Sequence, residues 1–174
     1  IELLGASELA SATTAIANVS STDNNFGESE ASQVQQSSAD VIAETDADMC
    51  CDGYYASFAT SAGANATSST GYTSTNINRV QQETASGSSV QAATDVYMND
   101  GNNVSAVTNA FGNSATVYNE WGYASLGQEG EPVEQRNGAD IDAQTYVTLD
   151  HWSGYATASS YGVGNSALIS NVGS

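Results

Sequence analysis

One pattern is written three times along this chain. Val41, Ala43, Thr45, Ala47 and Met49 occupy alternate positions, as do Val90, Ala92, Thr94, Val96 and Met98, and then Ile141, Ala143, Thr145, Val147 and Leu149. The positions between them are mostly polar or amphipathic: Ile42, Glu44, Asp46 and Asp48, then Gln91, Ala93, Asp95 and Tyr97, then Asp142, Gln144, Tyr146 and Thr148. Successive side chains of a β-strand point to opposite faces, so period-two alternation of this length predicts a half-buried strand. A helix would scatter the same residues around its axis.

Other landmarks recur at about the same distance. Upstream stand Val34-Gln35-Gln36, Val80-Gln81-Gln82 and Val133-Glu134-Gln135; downstream stand Gly63-Ala64-Asn65-Ala66, Gly112-Asn113-Ser114-Ala115 and Gly164-Asn165-Ser166-Ala167. The period is roughly 50 residues, in the range of solenoids and arrays. The chain therefore divides into a partial unit over about 6–30 and repeats over about 31–77, 78–130 and 131–174, all in one domain. Each repeat reads as about four short strands: one with Val-Gln-Gln, one with the alternating pattern, one from about Tyr54 to Ser61, and one after the Gly-Asn turn. The Ala/Ser/Thr-rich stretch from Ala6 to Ser21 reads as the second half of the incomplete unit, and Ile1–Leu4 as a short helix or a separate arm. The fold class expected is all-β, a β-solenoid of about three and a half repeats. The alternative is a β-sandwich, pilin-like domain with donor-strand exchange. Stacked repeats would bring matching Gln and Asn residues into side-chain ladders.

Composition agrees with a thin repeating core. Ala, Ser, Thr, Asn and Gly dominate, with three Phe and two Trp in 174 residues. Small side chains bury little area each, and burial is worth about 25 cal/mol per Å² of apolar surface. Twenty acidic residues stand against Arg79 and Arg136, with no Lys, for a net charge of −18. That balance argues against nucleic acid and anionic membranes, which need cationic footprints. No run approaches the roughly 18 apolar residues of a membrane span. No signal region opens the chain, so an exported form would already have lost its leader. Cys50 and Cys51 are adjacent, and adjacent residues on a regular strand face opposite ways, which places them poorly for pairing with each other.

The succession Val-Gln-Gln, Val-x-Ala-x-Thr and Gly-Asn-Ser-Ala-Thr, as in Val80 through Thr116, resembles the holdfast-anchoring adhesins of stalked alphaproteobacteria, the D component in particular. More loosely it is similar to curli-type fibre subunits, whose repeats are shorter. The resemblance implies a secreted protein of the outer surface, a fibre or anchor that leaves through a curli-like pore and holds adhesive polysaccharide to the envelope.

Catalytic signals are absent. His151, between Asp150 and Trp152, is the one histidine, and no Gly-x-Ser-x-Gly elbow or phosphate-binding glycine loop occurs. The chain is thus expected not to be an enzyme and to need no cofactor. Asp46, Asp48 and Asp52, and separately Asp95 and Asp100, are candidate calcium ligands, although Cys50 falls where a calcium loop wants oxygen. The Tyr and Trp residues suit subunit interfaces or stacking on sugars. The expected function is a structural subunit of an extracellular filament or cell-surface adhesin anchor, acting by β-rich self-assembly. Its partners would be further copies, other fibre subunits or surface polysaccharide. The competing expectation is a monomeric carbohydrate- or calcium-binding adhesin domain; the calcium form would melt at lower temperature in EDTA.

Overall fold

The computed structural model describes residues 2–4, 8–72, 74–127 and 133–173, and among them the chain is all strand and connection, with no helix. Ten strands follow in order: β1 (Glu2–Leu4), β2 (Glu8–Asn24), β3 (Gly27–Ser37), β4 (Val41–Tyr72), β5 (Ser74–Thr84), β6 (Ser89–Glu120), β7 (Tyr123–Leu126), β8 (Glu134–Asn137), β9 (Asp140–Asp150) and β10 (Ala156–Val172). Among the described residues these strands form two sheets. In the larger, β1 and β2 line one edge of β4, β6 lies on its other side, and β9 and β10 line the far edge of β6. In the smaller, β3 pairs with β5, and β7 and β8 together line the other edge of β5.

Every pairing among the described residues is parallel. The alternating segments lie side by side in register: Val41 beside Val90 beside Ile141, Thr45 beside Thr94 beside Thr145, Met49 beside Met98 beside Leu149. A sandwich of hairpin-connected antiparallel strands, the alternative expected above, does not pair this way.

Of the four short strands expected per repeat, the Val-Gln-Gln strand is separate, as β3, β5 and β8, while the other three run together in β4 and in β6 and are divided between β9 and β10 in the last repeat. β4 and β6 are each 32 residues long. At about 3.3 Å per residue a straight strand of that length would reach roughly 105 Å. It does not run straight: the Thr60 hydroxyl donates to Thr45 Oγ1 at 2.7 Å, fifteen residues back in the same strand. The chain bends after the alternating segment. There the register between β4 and β6 slips between Cys50 and Gly53, and Asp100 and His151 adopt left-handed φ of 56° and 48°. Asp and His tolerate that region better than most side chains, which gives the Asp100-Gly101 and Asp150-His151 pairs a structural role at a corner. No turn forms at Gly63: it stays within β4, opposite Phe111, whose ring occupies the space a side chain at position 63 would need.

The bend brings two legs of each long strand together around a thin core. Val41, Ala43, Ala62, Ala64, Val90, Ala92, Ala110 and Ala139 form one buried apolar cluster. Ala47, Met49, Ala56, Phe58, Val96, Met98, Val104 and Ala106 form another. Between the clusters runs a seam of hydroxyls. Thr45 donates to Thr13, Thr60 to Thr45, Thr94 to Thr60, Thr145 to Thr108 and Ser160 to Thr145, at 2.7–2.9 Å. Thr94 and Thr108 share one further bond of 2.7 Å. Thr108 donating in that bond gives each interior hydroxyl one donated and one accepted bond, the arrangement in which buried polar chains strengthen themselves.

Three sequence expectations shift. Glu2–Leu4 is neither helix nor arm but a strand paired with Asp48–Cys50 of β4; Ile1 lies outside the described residues. The first Val-Gln-Gln landmark is out of step with the second by one residue. Val34 pairs with Gln81, not Val80. A one-residue slip reverses the faces, so Val80 is buried while Val34 is 63% exposed. What stays aligned is Gln35 beside Gln82 beside Gln135. Finally, Cys50 is disulfide-bonded and no described cysteine is free. The poor pairing geometry expected above applies to a regular strand, whereas β4 is irregular between Cys50 and Gly53. The chain's other cysteine is Cys51, whose side chain lies outside the described residues.

Candidate interaction surface

Two amide ladders join the sheets. In the larger sheet Asn18 donates to Asn65 Oδ1, Asn65 to Asn113 Oδ1 and Asn113 to Asn165 Oδ1, at 2.7–2.8 Å. Each of the three donors gives its other N–H to a carbonyl across the core, Asn18 to Gln36, Asn65 to Glu83 and Asn113 to Arg136, and Asn165 gives one of its two to Gln135. The smaller sheet answers with Gln135 donating to Gln82 Oε1 and Gln82 to Gln35 Oε1, both at 2.8 Å. Its second N–H bonds return to the carbonyls of Ala66, Ser114 and Ser166. The Asn of the Gly-Asn landmark and the aligned glutamines Gln35, Gln82 and Gln135 thus hold the two sheets at fixed separation.

The core residues singled out by the alternating pattern divide sharply by strand. Val41, Ala43, Thr45 and Met49 in β4, and Val90, Ala92, Thr94 and Met98 in β6, are all buried. Ile141, Ala143, Thr145 and Leu149 in β9 face the same way but are only half-buried. In β10 the loss of cover is greater. Ala156, Ala158, Asn165, Ala167 and Ile169 are exposed, whereas their β6 partners Val104, Ala106, Asn113, Ala115 and Val117 are 0–3% exposed. The core therefore ends open at β9 and β10.

Charge is distributed unevenly around this opening. The seventeen residues of β10 carry no charged side chain, and the seventeen of β2, at the opposite edge, carry Glu8 and Asp23 alone. Acidic residues gather instead on the outward face of the alternating segments, where Glu44, Asp46, Asp48, Asp95, Asp142 and Asp150 stand, and on the smaller sheet. Arg79 pairs there with Glu30 at 3.2 Å, and Arg136 with Glu134. Edges left this long and uncharged are the ones that pair with further strands.

The calcium candidates are not drawn together. Asp46 lies beside Asp95 on the neighbouring strand, Asp48 beside Tyr97, and Asp100 at the corner; the Asp52 side chain is outside the described residues. Among the described residues no three His, Cys, Asp or Glu side chains converge on one point. His151 Nδ1 lies 3.1 Å from Asp150 Oδ1 on an open surface. Tyr55 and Tyr155 flank Asn103 at a shallow recess of about 360 Å³. Sequence reasoning missed Thr60 and Thr108, the far half of the hydroxyl seam. Their only sequence signal is a Thr fourteen or fifteen residues beyond the patterned one.

Set against known protein families, the chain matches the family described as Holdfast attachment protein D over residues 2–174, and it belongs to that family. No curated protein and no solved structure matches it.

Proposed function

We propose that this member of the holdfast attachment protein D family is a structural subunit of a cell-surface attachment assembly, outside the cell, acting by β-rich self-association rather than by catalysis. In this reading the parallel register, with ladder partners 47 to 53 residues apart, is that of a β-solenoid of about three and a half turns. The open core at β9 and β10 is the observation that carries the proposal. Stacked-repeat proteins cover their terminal core with a polar capping unit when they work as soluble monomers, and here Ala158, Ala167 and Ile169 are uncovered. The acidic outer faces keep assemblies from clumping sideways.

Purified protein is expected to form elongated particles in negative-stain micrographs. With a net charge of −18, association should strengthen as NaCl rises from about 0.02 M to about 0.5 M, because screening shortens the reach of like-charge repulsion from about 20 Å to a few Å. A monodisperse monomer in light scattering at high concentration in both salts would refute self-assembly.

The recess between Tyr55 and Tyr155 favours a second reading, a carbohydrate-binding adhesin domain. Tyrosine faces flanking a polar floor suit sugar rings. Retention on immobilised neutral glycans, lost in Tyr155→Ala with assembly unchanged, is its expected result; no retention of the parent protein would dismiss it.

A further inference from the structure

The assembly reading leaves open how copies meet, and the amide ladder carries direction. Every rung of the Asn ladder donates toward the C-terminal strand: Asn18 to Asn65, Asn65 to Asn113, Asn113 to Asn165. At the β2 edge this leaves Asn18 Oδ1 as an acceptor. At the β10 edge Asn165 accepts from Asn113 and gives one N–H to the Gln135 carbonyl, so its second N–H remains as a donor. The two edges are complementary to each other and not to themselves.

We infer that copies of this chain stack head to tail, β10 of one against β2 of the next, parallel and in the register the molecule already uses between its own strands. The inference rests on the self-assembly reading and adds its polarity and its contact residues. Three further features support it. β2 and β10 are of equal length, seventeen residues each, and each is paired along one side only. Continuing the internal columns sets Asn165 on the next copy's Asn18, because Asn18, Asn65, Asn113 and Asn165 already share one column. The same extension places Val163 beside the next copy's Ile16, and Ala158 and Ser160 beside its Ser11 and Thr13. No like charges are opposed along the seam, since β10 has none.

A two-fold contact between two β10 edges would instead run the strands antiparallel and face donor with donor. Head-to-tail contacts do not close by symmetry and extend into a filament.

Disulfide trapping tests the register. Val19 and Ser166 stand on the outward face of one column, Val19, Ala66, Ser114, Ser166, and both are exposed. Neighbouring strands about 4.8 Å apart lie inside the Cα window of about 4.4–6.8 Å for a disulfide. Val19→Cys and Ser166→Cys proteins, mixed and oxidised, should shift from the monomer band to one of twice its mass on non-reducing gels. Neither variant alone should, nor should wild type with its native Cys50 disulfide. Ser21→Cys with Leu168→Cys, the next outward column, repeats the test should either first variant fold poorly. Val19→Cys with Ser170→Cys, four positions out of register, should stay monomeric.

Cross-linking of Ser166→Cys with itself, or equal trapping of the out-of-register pair, would overturn the inference. So would filaments in micrographs with neither in-register pair trapped, an outcome that leaves the assembly reading standing. No trapping and no assembled species would overturn both.

Discussion

Replacing Asn113 by Leu should destabilise the protein by about 3–5 kcal/mol, a large part of the roughly 5–15 kcal/mol that holds a typical domain folded. Leu shares Asn's branching and number of side-chain heavy atoms but is bulkier, and the site is fully buried, so some overpacking adds to the loss of polar contacts. Asn113 accepts from Asn65, donates to Asn165 and donates to the Arg136 carbonyl across the core. Removing it strands one N–H of Asn65 and one carbonyl of β8, and each buried orphan costs about 1–3 kcal/mol. The rest of the loss comes from releasing the smaller sheet, which at this level is held by β8, a strand of four residues. Asn165→Leu removes the same residue type from the same column, yet it should cost less, about 1–3 kcal/mol, because it strands only the N–H of Asn113 while water can serve the Gln135 carbonyl at the open edge. Urea unfolding of both variants measures the difference. Equal costs at the two positions would mean that the ladder does not carry the load assigned to it.

That asymmetry bears on what a sequence of this kind discloses. The alternating Val-x-Ala-x-Thr segments were legible because period two is a local property, and the structure pairs Val41, Val90 and Ile141 in the register their spacing suggests. Asn65, Asn113 and Asn165 were legible as a recurring landmark for the same reason. The Val-Gln-Gln motif misled by one residue because pairing between parallel strands is set by the whole rung, and Gln35 rather than Val34 has a partner to keep. Thr60 and Thr108 were hidden by their surroundings: Ser57-Phe58-Ala59 and Ser105-Ala106-Val107 share little beyond size and polarity. Their role exists only once β4 and β6 bend. The uncharged run of β10 was present in the sequence, but its meaning depends on that strand lying at an edge with nothing beyond it among the described residues. Composition shows that a segment lacks charge; only topology shows that it needed some.

Ala158→Lys should abolish assembly while leaving the monomer's melting temperature unchanged. Ala158 faces the core side of β10 and is exposed, whereas its partner Ala106 one strand inward is buried. A lysine at position 158 therefore projects into water in the isolated chain and disturbs nothing there. In a stacked pair it would lie sealed against the next copy's Ser11 with no carboxylate within its column, and a buried unpaired charge costs about 3–5 kcal/mol. That lowers the association constant by a factor of more than about 100. Inward-pointing lysines are a device by which natural edge strands avoid pairing. Gln144→Lys, on the outward face of β9, adds the same charge and should leave assembly intact. Direction supplies the sharper consequence. The variant keeps a sound β2 edge, so it can still dock on the β10 edge of a wild-type filament and then offers the next copy nothing to bind. Sub-stoichiometric Ala158→Lys should shorten wild-type filaments in micrographs as a chain terminator. Filaments of unchanged length at a one-to-one mixture, with Ala158→Lys itself still monomeric, would mean that growth does not proceed through β10 onto β2.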